Sequence, residues 1–162
     1  MALSYLILGS NSVDKNEILG RTITLINKLV GTVTATSSVY ETEAWGYESQ
    51  NSYLNQALSV DTTHSPIELL HITQEIERNL GRSSKSINGV YTDRPIDIDI
   101  LFYADEIVNM PELIIPHQHI AARRFVLEPM NELAPDLQHP VQERTIHQLL
   151  ENCSDKLAVK KL

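Results

Sequence analysis

Tyr91-Thr92-Asp93-Arg94-Pro95-Ile96-Asp97-Ile98-Asp99-Ile100-Leu101-Phe102 is the stretch on which the reading of this chain turns. From Ile96 to Phe102 apolar and acidic residues alternate at period 2, the pattern of a β-strand with two different faces. Ile96, Ile98, Ile100 and Phe102 are expected to point into a core, with Asp97 and Asp99 side by side on the other face. Two residues of strand rise put their Cα atoms about 6.5 Å apart. At an effective dielectric of about 20, two carboxylates at that separation repel by roughly 2.5 kcal/mol. Asp is also among the poorest strand formers. A strand that carries this cost twice implies a cation beside it. Two candidates fit: an arginine such as Arg94, or Mg²⁺, which takes one or two carboxylates and completes its shell with water and substrate phosphates.

The rest of the composition bounds the answer. A chain of 162 residues can bury a proper core, and one domain spanning 1–162 is the default. A formal net charge of -8 argues against a general binder of nucleic acid or anionic membrane, although a local basic loop could still hold a phosphate. The lone Cys153 excludes an intrachain disulfide and a Cys-based zinc site. Met1-Ala2-Leu3-Ser4-Tyr5 leads directly into a strand pattern without the features of a signal peptide, and no apolar run has the length of a membrane span, so a cytoplasmic location is expected.

Working outward from the aspartates, the elements fall in a recognisable order. Leu3 to Leu8 is a short apolar run ended by Gly9-Ser10-Asn11, a strand and a sharp turn. Asn11, Ser12 or Asp14 can cap a helix whose apolar residues run from Ile18 to Val30, and Gly31 is expected to end it. Thr32 to Glu41, dense in β-branched residues, predicts a second strand. Ala44 to Asn51 predicts a loop, and Tyr53 to Val60 a third strand. Ser65-Pro66-Ile67-Glu68 predicts a helix start with a capping box, and Gly81 an αL stop. A long polar segment, Arg82 to Arg94, follows; loops of that length inside a domain are usually functional. The order strand, helix, strand, strand, helix, strand predicts an α+β, ferredoxin-like (split βαβ) antiparallel sheet with both helices on one face. Asp97 and Asp99 would look out from the other. The tail predicts a helix from about His119 to Leu127 broken by Pro129, and a short helix near Thr145 to Leu150.

Few residues carry chemistry unaided. Gly9-Ser10-Asn11 opens neither a Walker A loop nor a GxGxxG fingerprint, and a plain strand-to-helix turn accounts for it. The six histidines form no HExxH, and a surface or capping role explains His117 and His119 more simply than a metal site. Arg82, Lys85, Arg94, Arg123 and Arg124 are the cations available to a polyphosphate. Core packing would also explain Tyr53 and Phe125. Asn55, one alternation from Tyr53, needs a partner on a strand and could read the edge of a heterocycle.

Taken together, Leu8-Gly9-Ser10-Asn11, Tyr40-Glu41-Thr42, Tyr53-Leu54-Asn55, Ile76-Glu77 with Gly81-Arg82, Arg94-Pro95-Ile96-Asp97-Ile98-Asp99-Ile100-Leu101, and Pro116-His117 with Arg123-Arg124-Phe125 closely resemble the 6-hydroxymethyl-7,8-dihydropterin pyrophosphokinase family. No single motif decides; the series does. The resemblance implies an Mg²⁺-dependent enzyme of folate biosynthesis that moves the β,γ-diphosphate of ATP onto 6-hydroxymethyl-7,8-dihydropterin and releases AMP, acting as a monomer with no nucleic-acid or membrane partner. It implies that Asp97 and Asp99 bind two Mg²⁺ ions, and that Arg82 and Arg94 steady the phosphates as a mobile loop closes. His117 and Arg123 match phosphate-contacting positions, and Gln74, Glu77 and Ile100 lie on the nucleotide side. Thr42 and Asn55 would hydrogen-bond the pterin, with its ring between Tyr53 and Phe125 and Trp45 at a nearby loop position.

The chain departs from the family pattern in places. Thr92-Asp93 stand where Gly-Pro usually precedes the loop-base arginine, Ser84 and Lys85 stand at the usual second arginine, and Tyr91 is the nearest aromatic to the usual loop tryptophan. No basic residue lies between Asn109 and Ile114, and Trp45 occupies an often aliphatic position. Two other classes fit the residues less well. A nucleotidyltransferase sets its Gly-Ser a short interval before Asp-x-Asp, whereas Gly9-Ser10 and Asp97 lie far apart here. A non-catalytic ferredoxin-like binding module leaves the paired aspartates and the polar loop unexplained.

Overall fold

Strand β1 (Ala2–Ser10) is the hub of the sheet, pairing antiparallel with β4 (Tyr53–Thr62) on one side and β5 (Asp97–Tyr103) on the other. The computed structural model describes residues 1–42, 52–81 and 95–162. Beyond β4 lie β2 (Gly31–Thr36) and β3 (Tyr40–Thr42), which pair with successive lengths of it, and β8 (Val159–Lys161) pairs with β3 at the edge. The predicted second strand is therefore two, separated at Ser37 to Val39. Helices α1 (Lys15–Leu29) and α2 (Pro66–Gly81) connect the strands in the expected split βαβ order, and the architecture is α+β with an antiparallel sheet. The predicted loop at Ala44 to Asn51 and the segment from Arg82 to Arg94 fall outside the described residues. Among the described residues no helix is long and apolar enough to cross a membrane.

Strand alternation sorts the core into two layers. Leu6, Leu8, Leu54, Leu58, Val60, Ile98 and Ile100 point to α1 and α2, meeting Ile18, Ile26, Leu69 and Ile76. Ile7, Ala57, Leu101 and Phe102 point the other way, onto α3 (Arg124–Leu133) and α4 (Ile146–Glu151). Phe102 thus belongs to the second layer, against the expectation that it would join Ile96, Ile98 and Ile100. The reason is a β-bulge: Leu6 pairs with Ile100 but Tyr5 pairs with Phe102, so Leu101 is an extra residue and parity flips after it. α3 and α4 cover only one end of this second face. The other end stays open.

Local chemistry explains most element ends. At the start of α2, Ser65 and Glu68 form the expected capping box, with Glu68 N–H donating to Ser65 Oγ (3.2 Å) and Ser65 N–H to Glu68 Oε1 (2.9 Å). Thr145 and Gln148 do the same for α4. The two helix-stop glycines behave differently from expectation. α2 includes Gly81, without the positive φ of an αL stop, and Gly31 opens β2. A Cβ on Gly31 would lie 1.9 Å from the Asp61 carbonyl oxygen, so close approach of β2 to β4 demands the glycine. Pro129 also fails as a breaker: a 3-10 turn at Ile120–Ala122 precedes α3, and Pro129 sits inside that helix. A mid-helix proline costs about 3 kcal/mol. Burying side chains such as Val126, Leu127 and Met130 returns about 1.5–3 kcal/mol each, so packing outweighs the lost hydrogen bond. The hairpin of β6 (Val108–Met110) and β7 (Leu113–Ile115) was not foreseen from sequence.

Two predictions follow from the packing. Gly31→Ala should destabilise the fold by at least about 1–3 kcal/mol, whereas Gly20→Ala, on α1 with open space around it, should stabilise by about 0.5–1 kcal/mol; urea denaturation of the two variants checks both signs. His139 is buried against the edge of Phe102, and its Nδ1 accepts from the N–H groups of Val141 (3.2 Å) and Gln142 (3.1 Å). Burial pushes its imidazole below the ordinary value, so the folded state favours the neutral ring. That stability is present above the unfolded value of about 6.5 and is lost as acid protonates the ring. Wild type should therefore lose more unfolding free energy than His139→Asn, which keeps an acceptor that does not titrate, when each is denatured at both neutral pH and about pH 5.

Candidate active site

The open end of the second sheet face is a cleft of about 460 Å³. Register dictates its floor. Gly9 lies directly opposite Asp97 on one side and Asn55 on the other, Ile7 opposite Asp99, and Thr42 opposite Tyr53. All of these residues share one face, and all line the cleft. Asp97 is exposed and Asp99 half-buried. Gly9 does more than end a strand, because a Cβ there would stand 3.2 Å from Asn55 Oδ1; its absence lets the Asn55 amide lie across the sheet. Asn55 is 4% exposed and its Nδ2 donates to Thr42 Oγ1 at 3.2 Å. Ser10 Oγ donates to the Pro95 carbonyl, fastening the end of β1 to the approach of β5.

The walls come from β4 and the start of α3. Tyr53 and Phe125 both line the cleft, and the Arg123 guanidinium carbon sits 5.7 Å from the centre of the Phe125 ring. A cation over an aromatic face at that distance is held in place yet still charged. Its neighbour is committed elsewhere: Arg124 pairs with Glu128 (3.3 Å) and donates from Nε to the Asp155 carbonyl (3.0 Å). Of this adjacent pair, Arg123 lines the cleft and Arg124 does not. Leu157, from the chain's last residues, also lines it, a position sequence reasoning missed.

A second groove, of about 270 Å³, lies beside the first and shares Asp99 with it. Leu70, Ile98, Ile100, Ile114 and His117 contribute to its lining. Ile100 is 5% exposed, so it serves the core and the groove together. His117 is fixed by its N–H donating to the Leu101 carbonyl (3.0 Å) on the outer edge of β5, and its Nδ1 accepts from the His119 N–H (3.2 Å). That leaves Nε2 as the ring's other hydrogen-bonding atom. Burial holds the His117 pKa below its ordinary value; the Asp99 carboxylate opposes this, and Arg123 and His119 add to the lowering. On α2, Gln74 is exposed one turn beyond Leu70, the helix residue of the groove. Glu77 Oε2 accepts from the Ile98 N–H at 2.8 Å, between the two aspartates. Trp45, Arg82 and Arg94 fall outside the described residues.

Chemically, the arrangement offers two carboxylates, an apolar slot with one buried amide, and an arginine and a histidine at the rim. Among the described residues no three His, Cys, Asp or Glu side chains gather around a common point. A metal here would draw most of its shell from water or a ligand's oxygens, which suits Mg²⁺ and not a structural zinc.

The model of the 7,8-dihydro-6-hydroxymethylpterin-pyrophosphokinase (HPPK) family matches residues 5–135. A 2-amino-4-hydroxy-6-hydroxymethyldihydropteridine pyrophosphokinase of Porphyromonas gingivalis is 45% identical over 141 residues, covering 86% of this chain and 95% of its own. The enzyme of the same name from Bacillus subtilis is 38% identical over 137 residues, with 84% and 80% covered. Folic acid synthesis protein fol1 of Schizosaccharomyces pombe is 39% identical over 96% of this chain, which spans 20% of that longer protein. Among solved structures, Plasmodium falciparum HPPK-DHPS superposes with a TM-score of 0.75 at 18% identity over 93% of this chain and 44% of that one, a likeness of fold. With the family match reaching from β1 through α3, over the strands and helices that build the cleft, the chain belongs to the 7,8-dihydro-6-hydroxymethylpterin-pyrophosphokinase (HPPK) family.

Proposed function

We propose that this chain transfers the β,γ-diphosphate of ATP to the hydroxymethyl oxygen of 6-hydroxymethyl-7,8-dihydropterin. The observation that carries the reading is Asp99, a carboxylate bordering both the aromatic-walled cleft and the neighbouring groove. A heterocycle in the first cavity and a nucleotide along the second would meet beside it. The pterin oxygen attacks the β-phosphorus, the bond from that phosphorus to the α,β-bridging oxygen breaks, AMP departs with that oxygen, and the hydroxyl proton passes to water.

Each group has a task set by its place. Tyr53 and Phe125 hold the flat ring between them, and the Asn55 amide, steadied by Thr42, reads its polar edge. Gly9 keeps the floor thin enough for that amide. Arg123 and the His117 Nε2 face phosphate oxygens, the arginine as a permanent cation and the histidine as a neutral donor. Glu77 fixes the strand between the aspartates through Ile98 and lies, with Gln74, toward the nucleotide. Arg82 and Arg94 enter this reading through the family resemblance, as cations on the phosphates. Asp97 and Asp99 would hold Mg²⁺, which supplies charge neutralisation for phosphoryl transfer when bound. Positioning then provides much of the rate, since two oriented substrates react as one.

Either Asp97→Ala or Asp99→Ala should lower kcat at least about a hundredfold while leaving the thermal midpoint close to wild type. Chelation should abolish turnover in the wild-type enzyme, and Mg²⁺ should restore it. Near-normal rates in either variant would remove the basis of the reading. Asn55→Ala should raise KM for the pterin by about 10-fold or more with KM for ATP unchanged, because it deletes the amide that reads the ring and leaves Thr42 without its donor. Steady-state kinetics with each substrate varied in turn measures that split.

A further inference from the structure

Residues beyond the stretch matched by the family model reach back to the cleft. After α4 the chain passes the start of α3 and returns as β8 beside β3, the strand that carries Thr42. Two anchors hold this return. At the first, Asp155 Oδ2 accepts from the Arg124 N–H (3.0 Å) at the first residue of α3, while Arg124 Nε donates to the Asp155 carbonyl (3.0 Å). At the second, Val159 pairs with Thr42 and Lys161 with Tyr40, and Leu162 N–H donates to the Val39 carbonyl at 2.9 Å. Between them Asp155 Oδ1 accepts from the Leu157 N–H (3.0 Å), turning the backbone so that the half-buried Leu157 lines the cleft with Phe125 and Tyr53.

We propose that this C-terminal return is a wall of the heterocycle cleft and that Leu157 is a specificity-determining residue for the pterin. Because both ends are tied before any ligand arrives, little freedom is lost when the side chain meets the ring. Its isobutyl group excludes water from the slot and limits its width, so it favours a flat bicycle over a thicker or more polar one. The anchors explain why a segment with little regular structure can do this: Asp155 is held by the residue adjacent to Phe125, and Val159 lies directly opposite Thr42. Leu157 is therefore registered to both sides of the cleft at once. The inference rests on the pyrophosphokinase reading above and extends its substrate site past residue 135.

Initial rates of AMP formation by the full chain test it, with the pterin varied at saturating ATP and then ATP at saturating pterin. Leu157→Ala should raise KM for the pterin on the order of tenfold and leave KM for ATP unchanged. Leu157→Gln, which keeps the bulk but not the apolarity and stays on a half-exposed site, should shift the pterin KM in the same direction. Leu157→Met should restore the wild-type value, since volume and apolarity are kept. An unaltered pterin KM in the Ala and Gln variants would overturn the inference, as would equal rises in both KM values. A wild-type chain that makes no AMP would instead overturn the pyrophosphokinase reading on which it stands; an active wild type with indifferent variants overturns the wall alone.

Discussion

Two carboxylates projecting from the same face of one edge strand are the constraint around which this structure is arranged. Asp97 and Asp99 repel one another across a single residue, and both are fixed by the alternation that buries Ile98 and Ile100 behind them. Strand register keeps both on this face, since neither can move to the other without breaking the pairing with β1. The surroundings hold that strand still: Glu77 receives the Ile98 N–H from below, Ser10 ties the Pro95 carbonyl, and His117 grips the Leu101 carbonyl at the outer edge. A strand braced on three sides in this way keeps two acidic side chains aimed into one cleft.

The open cleft is itself a consequence of how the second face is covered. α3 and α4 lie over Ile7, Ala57 and Leu101 but not over the end of the sheet that carries Gly9, Asn55 and Thr42. Where the helical layer stops, α3 begins, and its first turn supplies Phe125 as the wall, with Arg123 just before the helix. The bulge at Leu101 contributes by turning Phe102 into the layer under α3 and against His139. Stability and function thus draw on the same strand: its first half serves the cleft, its second half the core beneath α3.

Much of this was legible in the letters, for identifiable reasons. The split βαβ order could be read because α1 and α2 carry amphipathic stripes and α2 a capping box, and these are local signals. The shared face of Asp97 and Asp99 could be read because period-2 alternation is strict from Ile96 to Ile100. The fate of Phe102 could not, since Leu101 and Phe102 are both apolar and a bulge between them leaves no trace in the pattern. Pro129 was read as a breaker because propensity favours that, yet burial of Val126, Leu127 and Met130 overrode it. Gly31 was read as a helix stop because its real constraint, the Asp61 carbonyl, is distant in sequence. β6, β7 and β8 are three residues each and exist through pairing alone. Leu157 was hidden for the same reason: its place depends on where Asp155 and Val159 are tied, not on any motif around it.

The identity of the nucleotide product tests the central claim most directly. The wild-type chain, incubated with ATP, Mg²⁺ and 6-hydroxymethyl-7,8-dihydropterin, should form AMP, and only when both pterin and metal are present. ADP as the product would mean transfer of a single phosphoryl group on the same scaffold, and pyrophosphate would mean nucleotidyl transfer. Either result, or no nucleotide product from a folded sample, would contradict the account.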